Sequence, residues 1–133
     1  MTASALLTPE GLEFVTVRHL ATLSTLRTDG SPHLVPVGFT FDAAEGLVRI
    51  ITSGPSQKVL NVRRDGRAAV SQVEGPRWVT LDGPARILDD PESVQDAVAR
   101  YSARYRAPRE NPLRVVIVID VAHVMGSSGI VAR

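Results

Sequence analysis

Hydrophobic and polar residues alternate from His19 to Arg27, with Leu20, Thr22, Ser24 and Leu26 on one face and Ala21, Leu23 and Thr25 on the other. That period predicts a β-strand. Thr28-Asp29-Gly30-Ser31 follows, and Asp-Gly supplies the positive-φ positions that a tight hairpin needs. Pro32 to Phe41 reads as the return strand. One of its faces, His33, Val35, Val37, Phe39 and Phe41, is core-like. The other, Leu34, Pro36, Gly38 and Thr40, is low in relief, and Gly38 lets another group approach the backbone closely. After the turn at Asp42–Gly46, Leu47 to Thr52 forms a third strand, and the three are expected as an antiparallel meander. Arg67 to Glu74 and Trp78 to Leu88 are the fourth and fifth strands, with Gly75-Pro76 between them. Gly83-Pro84 inside the fifth implies a bulge or bend. Leu113 to Val121 is a buried-looking strand, and Ala122 to Met125 is expected to continue it after a kink.

Three short helices interrupt these strands. Thr8-Pro9-Glu10 opens the first, with threonine as cap, proline in the first turn and glutamate favouring the dipole; Leu12, Phe14 and Val15 should pack inward. The second runs from about Pro55 to Arg64 and stops at Asp65-Gly66. Asp89-Asp90-Pro91-Glu92 starts the third by the same logic as the first. Val94, Val98, Tyr101 and Tyr105 recur in it at spacings of four, three and four, one apolar stripe. Arg100, Arg104 and Arg106 fall late in that helix, where the dipole favours positive charge. Pro108 and Pro112 close it. About six antiparallel strands with three short helices predict a closed or nearly closed β-barrel with helical additions. The apolar strands at 47–52 and 113–119 favour a partner, so a homodimer is expected.

Composition narrows the classes. A chain of 133 residues fits one domain spanning 1–133, and 44% hydrophobic with 22% charged residues is globular rather than disordered. Net charge of +1 speaks against nonspecific nucleic-acid binding. The lack of cysteine removes disulfides, thiolate chemistry and cysteine metal sites, and is compatible with a reducing cytoplasm. The start shows no basic segment followed by an apolar stretch, so no signal peptide is expected. The longest strongly apolar run, Val115 to Ile119, is far short of a membrane span.

The segment Ile50-Ile51-Thr52-Ser53-Gly54-Pro55-Ser56-Gln57-Lys58 holds the one lysine of the chain. A strand that feeds a helix N-terminus aims free N–H groups and the positive dipole end at one spot, which suits a phosphate. Lys58 adds a mobile charge there. Asn61 and Arg64 share its helical face, which would continue from the phosphate position along the outside of the barrel, and Arg63 and Arg67 would broaden the positive zone. Signatures of self-contained catalysis are absent: no Gly-rich dinucleotide loop, no Walker lysine, no nucleophile elbow. His19, His33 and His123 are scattered, and no metal site is expected. No catalytic side chain is assigned; a bound cofactor should carry any hard chemistry.

The order of strand, Asp-Gly hairpin, Val35-Pro36-Val37-Gly38-Phe39 and then Lys58 to Val70 resembles the pyridoxamine 5′-phosphate oxidase-like split β-barrel proteins, from about His19 to Gly126. The Ser56-Gln57-Lys58 turn and the Arg77-Trp78 pair look like their flavin/deazaflavin oxidoreductase branch in actinobacteria, and within it the chain is similar to the coenzyme F420-dependent biliverdin reductases. The resemblance implies a mainly β fold, an FMN-binding-protein-like split barrel that is homodimeric with two cofactor sites at the subunit interface. It implies a reductase passing a hydride from reduced coenzyme F420 to a conjugated acceptor such as biliverdin. The alternatives are an FMN enzyme of the same fold or a non-catalytic binder of F420, flavin or tetrapyrrole. Val35, Pro36, Val37 and Gly38 would back the ring; Thr52, Ser53, Gln57 and Lys58 would hold the phosphate; Asn61 and Arg64 would lie farther along. Gln72, Trp78 and Val79 would approach the ring from the second subunit. Arg63, Arg64 and Arg67 would form a groove for the F420 tail, and Arg77 or Arg114 would meet the acceptor's propionates. The chain lacks the C-terminal substrate-phosphate arginines of a vitamin B6 oxidase, which argues against that activity.

Overall fold

The computed structural model describes residues 2–132. A 3-10 turn at Ala3–Leu6 precedes α1 (Pro9–Phe14), β1 (Ala21–Leu26), β2 (Pro32–Val37), β3 (Thr40–Asp42), β4 (Leu47–Ser53) and α2 (Gln57–Arg64). Then come β5 (Arg67–Glu74), β6 (Arg77–Leu88), α3 (Pro91–Arg104), β7 (Arg114–Asp120) and β8 (His123–Gly126). The fold is mainly β, and its strand pairs are antiparallel.

Neighbouring strands follow the order β2-β1-β5-β6-β7-β4-β3, with β8 on β6. Because β2 runs into β3 through Gly38-Phe39 alone, the two ends of that path are continuous and the sheet curls into a barrel. The expected single strand from Pro32 to Phe41 is therefore two. Its first half pairs with β1 and its second with β4, so the meander turns a corner at Gly38. The expected inward face holds, with Val37 and Phe39 buried and Val35 and Phe41 packed on the core.

The predicted bend at Gly83-Pro84 is where β6 leaves β5 and β8 to pair with β7. A Cβ at Gly83 would stand 1.9 Å from the Asp120 carbonyl oxygen, so only glycine lets β7 cross there. The segment after β7 departs from expectation: instead of continuing that strand, β8 crosses to β6. The two capped helix starts form as read: Thr8 accepts from the Gly11 amide and Asp90 from the Ser93 amide.

The core fills the barrel with Leu23, Phe39, Val48, Ile50, Val70, Leu81, Ile117 and Ile119, closed by Phe14 of α1 and by Val59 and Val62 of α2. Val116 and Val118, on the outer face of β7, pack under Ala97 of α3, with Ile51 of β4 and Val94 beside them. This corrects one expectation. The apolar character of strands 47–52 and 113–119 is satisfied by each other and by α3, not by a second chain. Of the two segments only Leu113 is largely exposed; a group of exposed apolar residues, Leu20, Leu34, Val73, Trp78 and Met125, lies around the outer face of β2-β1-β5-β6-β8, and Val17 and Leu60 are exposed outside it. No described helix is long and apolar enough to cross a membrane.

Candidate functional site

Strand β4 ends at Ser53, and the Gly54-Pro55 turn delivers the chain into α2 with Ser56 as N-cap. The Ser56 side chain makes no capping bond, so the first-turn amides have no side-chain acceptor. Across a cleft of about 270 Å³ from this turn stands the outer edge of β2. Pro36, Val37 and Gly38 line one wall, Ile51, Thr52 and Lys58 another, and Tyr101, Pro108, Asn111 and Arg114 complete it. The turn from β4 into α2 and the flat outer edge of β2 thus face one space.

Lys58 is half-buried and has no hydrogen-bond or ion-pair partner among the described residues. Burial pushes its pKa below the ordinary lysine value. Arg114, across the cleft, bonds the Arg109 carbonyl and, among the described residues, meets no carboxylate. Two cations without counter-charge in one cleft form a seat for an anion. The wall between them is braced: Asn111 Nδ2 donates to Ser53 Oγ at 2.7 Å, and the Gly54 amide donates to the Leu113 carbonyl at 2.8 Å.

Gly38 admits a close neighbour, as read, but that neighbour is within the chain. A Cβ there would stand 3.0 Å from Tyr105 Cζ and 3.2 Å from Tyr101 Cε2. Tyr105 donates to the carbonyls of His19 and Phe39, each at 3.0 Å, fixing the corner between β2 and β3.

Other expected site residues sit outside the cleft. Val35 points into the barrel. Ser53 is taken by Asn111, and Gln57 donates to Asn61 Oδ1 at 2.8 Å. Asn61 is 0% exposed and donates to Thr25, while Arg64 donates to the Leu26 carbonyl. The face that continues from Lys58 therefore turns onto β1 instead of running along the outside of the barrel. Arg67 forks onto Asp65 at 2.9 and 2.7 Å, and Arg63 is 3.9 Å from Asp89, so these arginines form no free groove beside the cleft. Arg77 pairs with Glu74 and lies over Phe14, away from Arg114.

Gln72 is 1% exposed, donates to the Phe14 carbonyl and accepts from Arg104. Val79 is buried beside it in register, and Trp78 is on the open sheet face. A larger hollow of about 460 Å³ lies on that face, lined by Ser24, Arg67, Gly83 and His123. Its charged groups are satisfied, Arg67 by Asp65 and His123 by Asp82 at 2.9 Å, so the smaller cleft is the stronger candidate.

Sequence reasoning missed Tyr101, Pro108 and Asn111. Tyr101 had been placed in an apolar stripe, and the prolines read only as a helix stop. Asn111-Pro112 closing the stretch that Pro108 opens marks a turn, and that is the available clue.

Comparison with known proteins agrees with the geometry. The family model for pyridoxamine 5′-phosphate oxidase matches residues 7–127. An F420H2-dependent biliverdin reductase of Mycobacterium tuberculosis (strain CDC 1551 / Oshkosh) is 50% identical over 127 residues, covering 96% of this chain and 93% of that protein. A solved F420 reductase superposes with a TM-score of 0.70 at 26% identity, covering 89% of this chain and 98% of its own. A conserved hypothetical protein of M. tuberculosis shares the fold, with a TM-score of 0.78 at 24% identity over 95% of this chain and 88% of its own. By family match, by identity and by barrel topology, the chain belongs to the pyridoxamine 5′-phosphate oxidase family.

Proposed function

We propose that this protein is a coenzyme F420-dependent oxidoreductase that delivers a hydride to a conjugated acceptor, with biliverdin as the acceptor. The observation that carries the reading is Lys58, a half-buried cation without a partner at an uncapped helix start. A cation in that state is stabilised by an anion with several oxygen acceptors, and a phosphate supplies them. The residues present fit the phosphate and ring of the cofactor. Lys58, Thr52 and the first turn of α2 hold the phosphate, and Pro36 to Gly38 back the ring. When bound, the deazaflavin supplies the hydride chemistry that no side chain of this protein offers. Arg114 would take a carboxylate of the acceptor at the mouth of the cleft. The mycobacterial relative supports the choice of cofactor and acceptor through its name and its 50% identity.

The proposal includes one domain, a cytoplasmic location and a homodimer. The open sheet face supports the homodimer: Leu20, Leu34, Val73, Trp78 and Met125 are all exposed there, and apolar residues grouped on one sheet face suit a partner surface. Packing two copies through that face would bring Trp78 of one copy toward the ring seat of the other. The side chains of Gln72 and Val79 are turned inward, so their contribution would be through backbone atoms.

Fluorescence titration of the purified protein with F420, and separately with FMN, tests the reading. F420 should bind at micromolar concentration or tighter, and Lys58→Ala should weaken it by about 100-fold, the loss of charge-assisted bonds. Preference for FMN would make the protein a flavoenzyme. Equal affinity of Lys58→Ala and wild type would remove Lys58 from the site.

A further inference from the structure

On the other flank of α3 lies a second, smaller cavity of about 210 Å³, between α3, the end of α1 and β3. Thr16, Thr40, Arg100 and Arg104 line it, with Val15 and Phe41 as its apolar wall. Arg104 is 9% exposed, which is unusual for an arginine on a helix surface. Its guanidinium donates to three neutral acceptors: the Val17 carbonyl at 3.0 Å, the Phe39 carbonyl at 2.6 Å and Gln72 Oε1 at 2.7 Å. It also lies over the Phe39 ring at 4.6 Å. Those contacts satisfy donors without neutralising the charge. Among the described residues no carboxylate pairs with Arg104. The nearby acids are committed: Asp42 and Asp96 are shared between Arg49 and Arg100, two negative charges against two positive. The positive charge of Arg104 is thus left over in a buried place, where an unpaired charge is costly.

A second observation points the same way. Thr40 is also 9% exposed, and its hydroxyl makes no hydrogen bond among the described residues. That oxygen is not sealed in protein, since the one buried side-chain polar atom lacking a partner among them is His33 Nδ1. Thr40 is among the residues that line the same cavity as Arg104. An uncompensated guanidinium and a free hydroxyl facing one small cavity form a receptor for an oxyanion. We infer that this cavity is a second anion site, separate from the Lys58 cleft, and that it takes a small carboxylate. Its volume admits an ion of acetate size together with a few waters. The two guanidinium N–H groups left over by Val17, Phe39 and Gln72 suit carboxylate oxygen, and the apolar wall of Val15 and Phe41 suits a short alkyl end.

Amide and arginine side-chain correlation spectra of the full chain, recorded with sodium acetate at constant ionic strength, test this. Saturable shifts are expected at Thr16, Thr40, Phe41 and the Arg104 side chain. Thr40→Val, which keeps the charge and nearly the same shape, should weaken binding by about tenfold. In Lys58→Ala the acetate shifts at Thr40 and the Arg104 side chain should titrate as in wild type, even if shifts at the cofactor cleft are lost, which separates the two sites. Absence of saturable shifts at these positions, shifts confined to the Lys58 cleft, or unchanged affinity in Thr40→Val would each overturn the assignment.

Discussion

Two sets of charged residues flank β4, and they are organised in opposite ways. On one side Asp42, Arg49, Asp96 and Arg100 form a closed set. Arg49 is 2.9 Å from Asp42, Arg100 is 3.0 Å from Asp96, and two further contacts at 3.4 and 3.7 Å cross-link them. Asp42 Oδ1 also accepts from the amides of Ala44 and Glu45. On the other side Lys58 and Arg114 face a cleft with no carboxylate between them. The first set ties α3 to the barrel and leaves nothing for a ligand. The second gives up that stabilisation and leaves two cations for something outside the chain. Buried charge that is fully paired reads as architecture; charge left over beside a cavity reads as binding.

The strongest way to break this comparison is at Asp42, which is 7% exposed. Asp42→Asn leaves Arg49 and Arg100 short of a counter-charge and should destabilise the fold by about 3 kcal/mol in urea denaturation. F420 affinity should stay unchanged. Burial works to raise the Asp42 pKa, but the bond from Arg49, the Glu45 amide and the field of Arg100 outweigh it and hold the carboxyl below its ordinary value. A carboxyl depressed in this way stabilises fully above its unfolded pKa, roughly pH 4. That contribution is lost as pH falls through the lower folded value. The stability gap between wild type and Asp42→Asn should therefore be flat above about pH 5 and close in stronger acid. A gap that persists unchanged at low pH would mean that packing, not charge, is what Asn disturbs.

Gly38→Ala should have a smaller effect, about 1–2 kcal/mol, because the new methyl presses on Tyr101 and Tyr105 and overpacking is costly. The same methyl stands in the wall of the cleft, so F420 affinity should fall along with stability. Loss of stability with full affinity would put the ring seat elsewhere. The smallest effect is at Lys58 without ligand. Burial lowers its pKa from 10.5, so the unfolded chain holds that proton more tightly. Wild-type stability should gain slightly as pH rises through the alkaline range, relative to Lys58→Met. Identical alkaline profiles would mean that the ammonium is effectively solvated.

Much of this was legible before any coordinates. The hairpin turn forms at Asp29-Gly30, although only Gly30 takes a positive φ, of 85°; Ser31 bonds back to Asp29. The alternation in β1 and β2 correctly sorts inward from outward residues, because side chains in a strand have a period of two. The turn from β4 into α2 was legible because a strand, a Gly-Pro turn and a helix start are all local. Arg104 shows the limit. Its place late in α3, where the dipole favours positive charge, says nothing of its burial, yet the helix buries it against Gln72 and Phe39. Asn61 was misread for the same reason: helical spacing fixes which residues share a face but not which neighbour that face meets.

By itself, the sequence determined most strands, the first and third helix caps, the inward faces and the lone lysine at a helix start, since each depends on residues within a few positions of one another. Only the tertiary structure decided which side chains face the cleft and which charges are neutralised. Those outcomes depend on barrel closure at Gly38-Phe39, on the crossing at Gly83 and on the docking of α3, which bring together residues dozens of positions apart. A cation's role is set by whether a carboxylate reaches it, and that distance is not written in the local pattern.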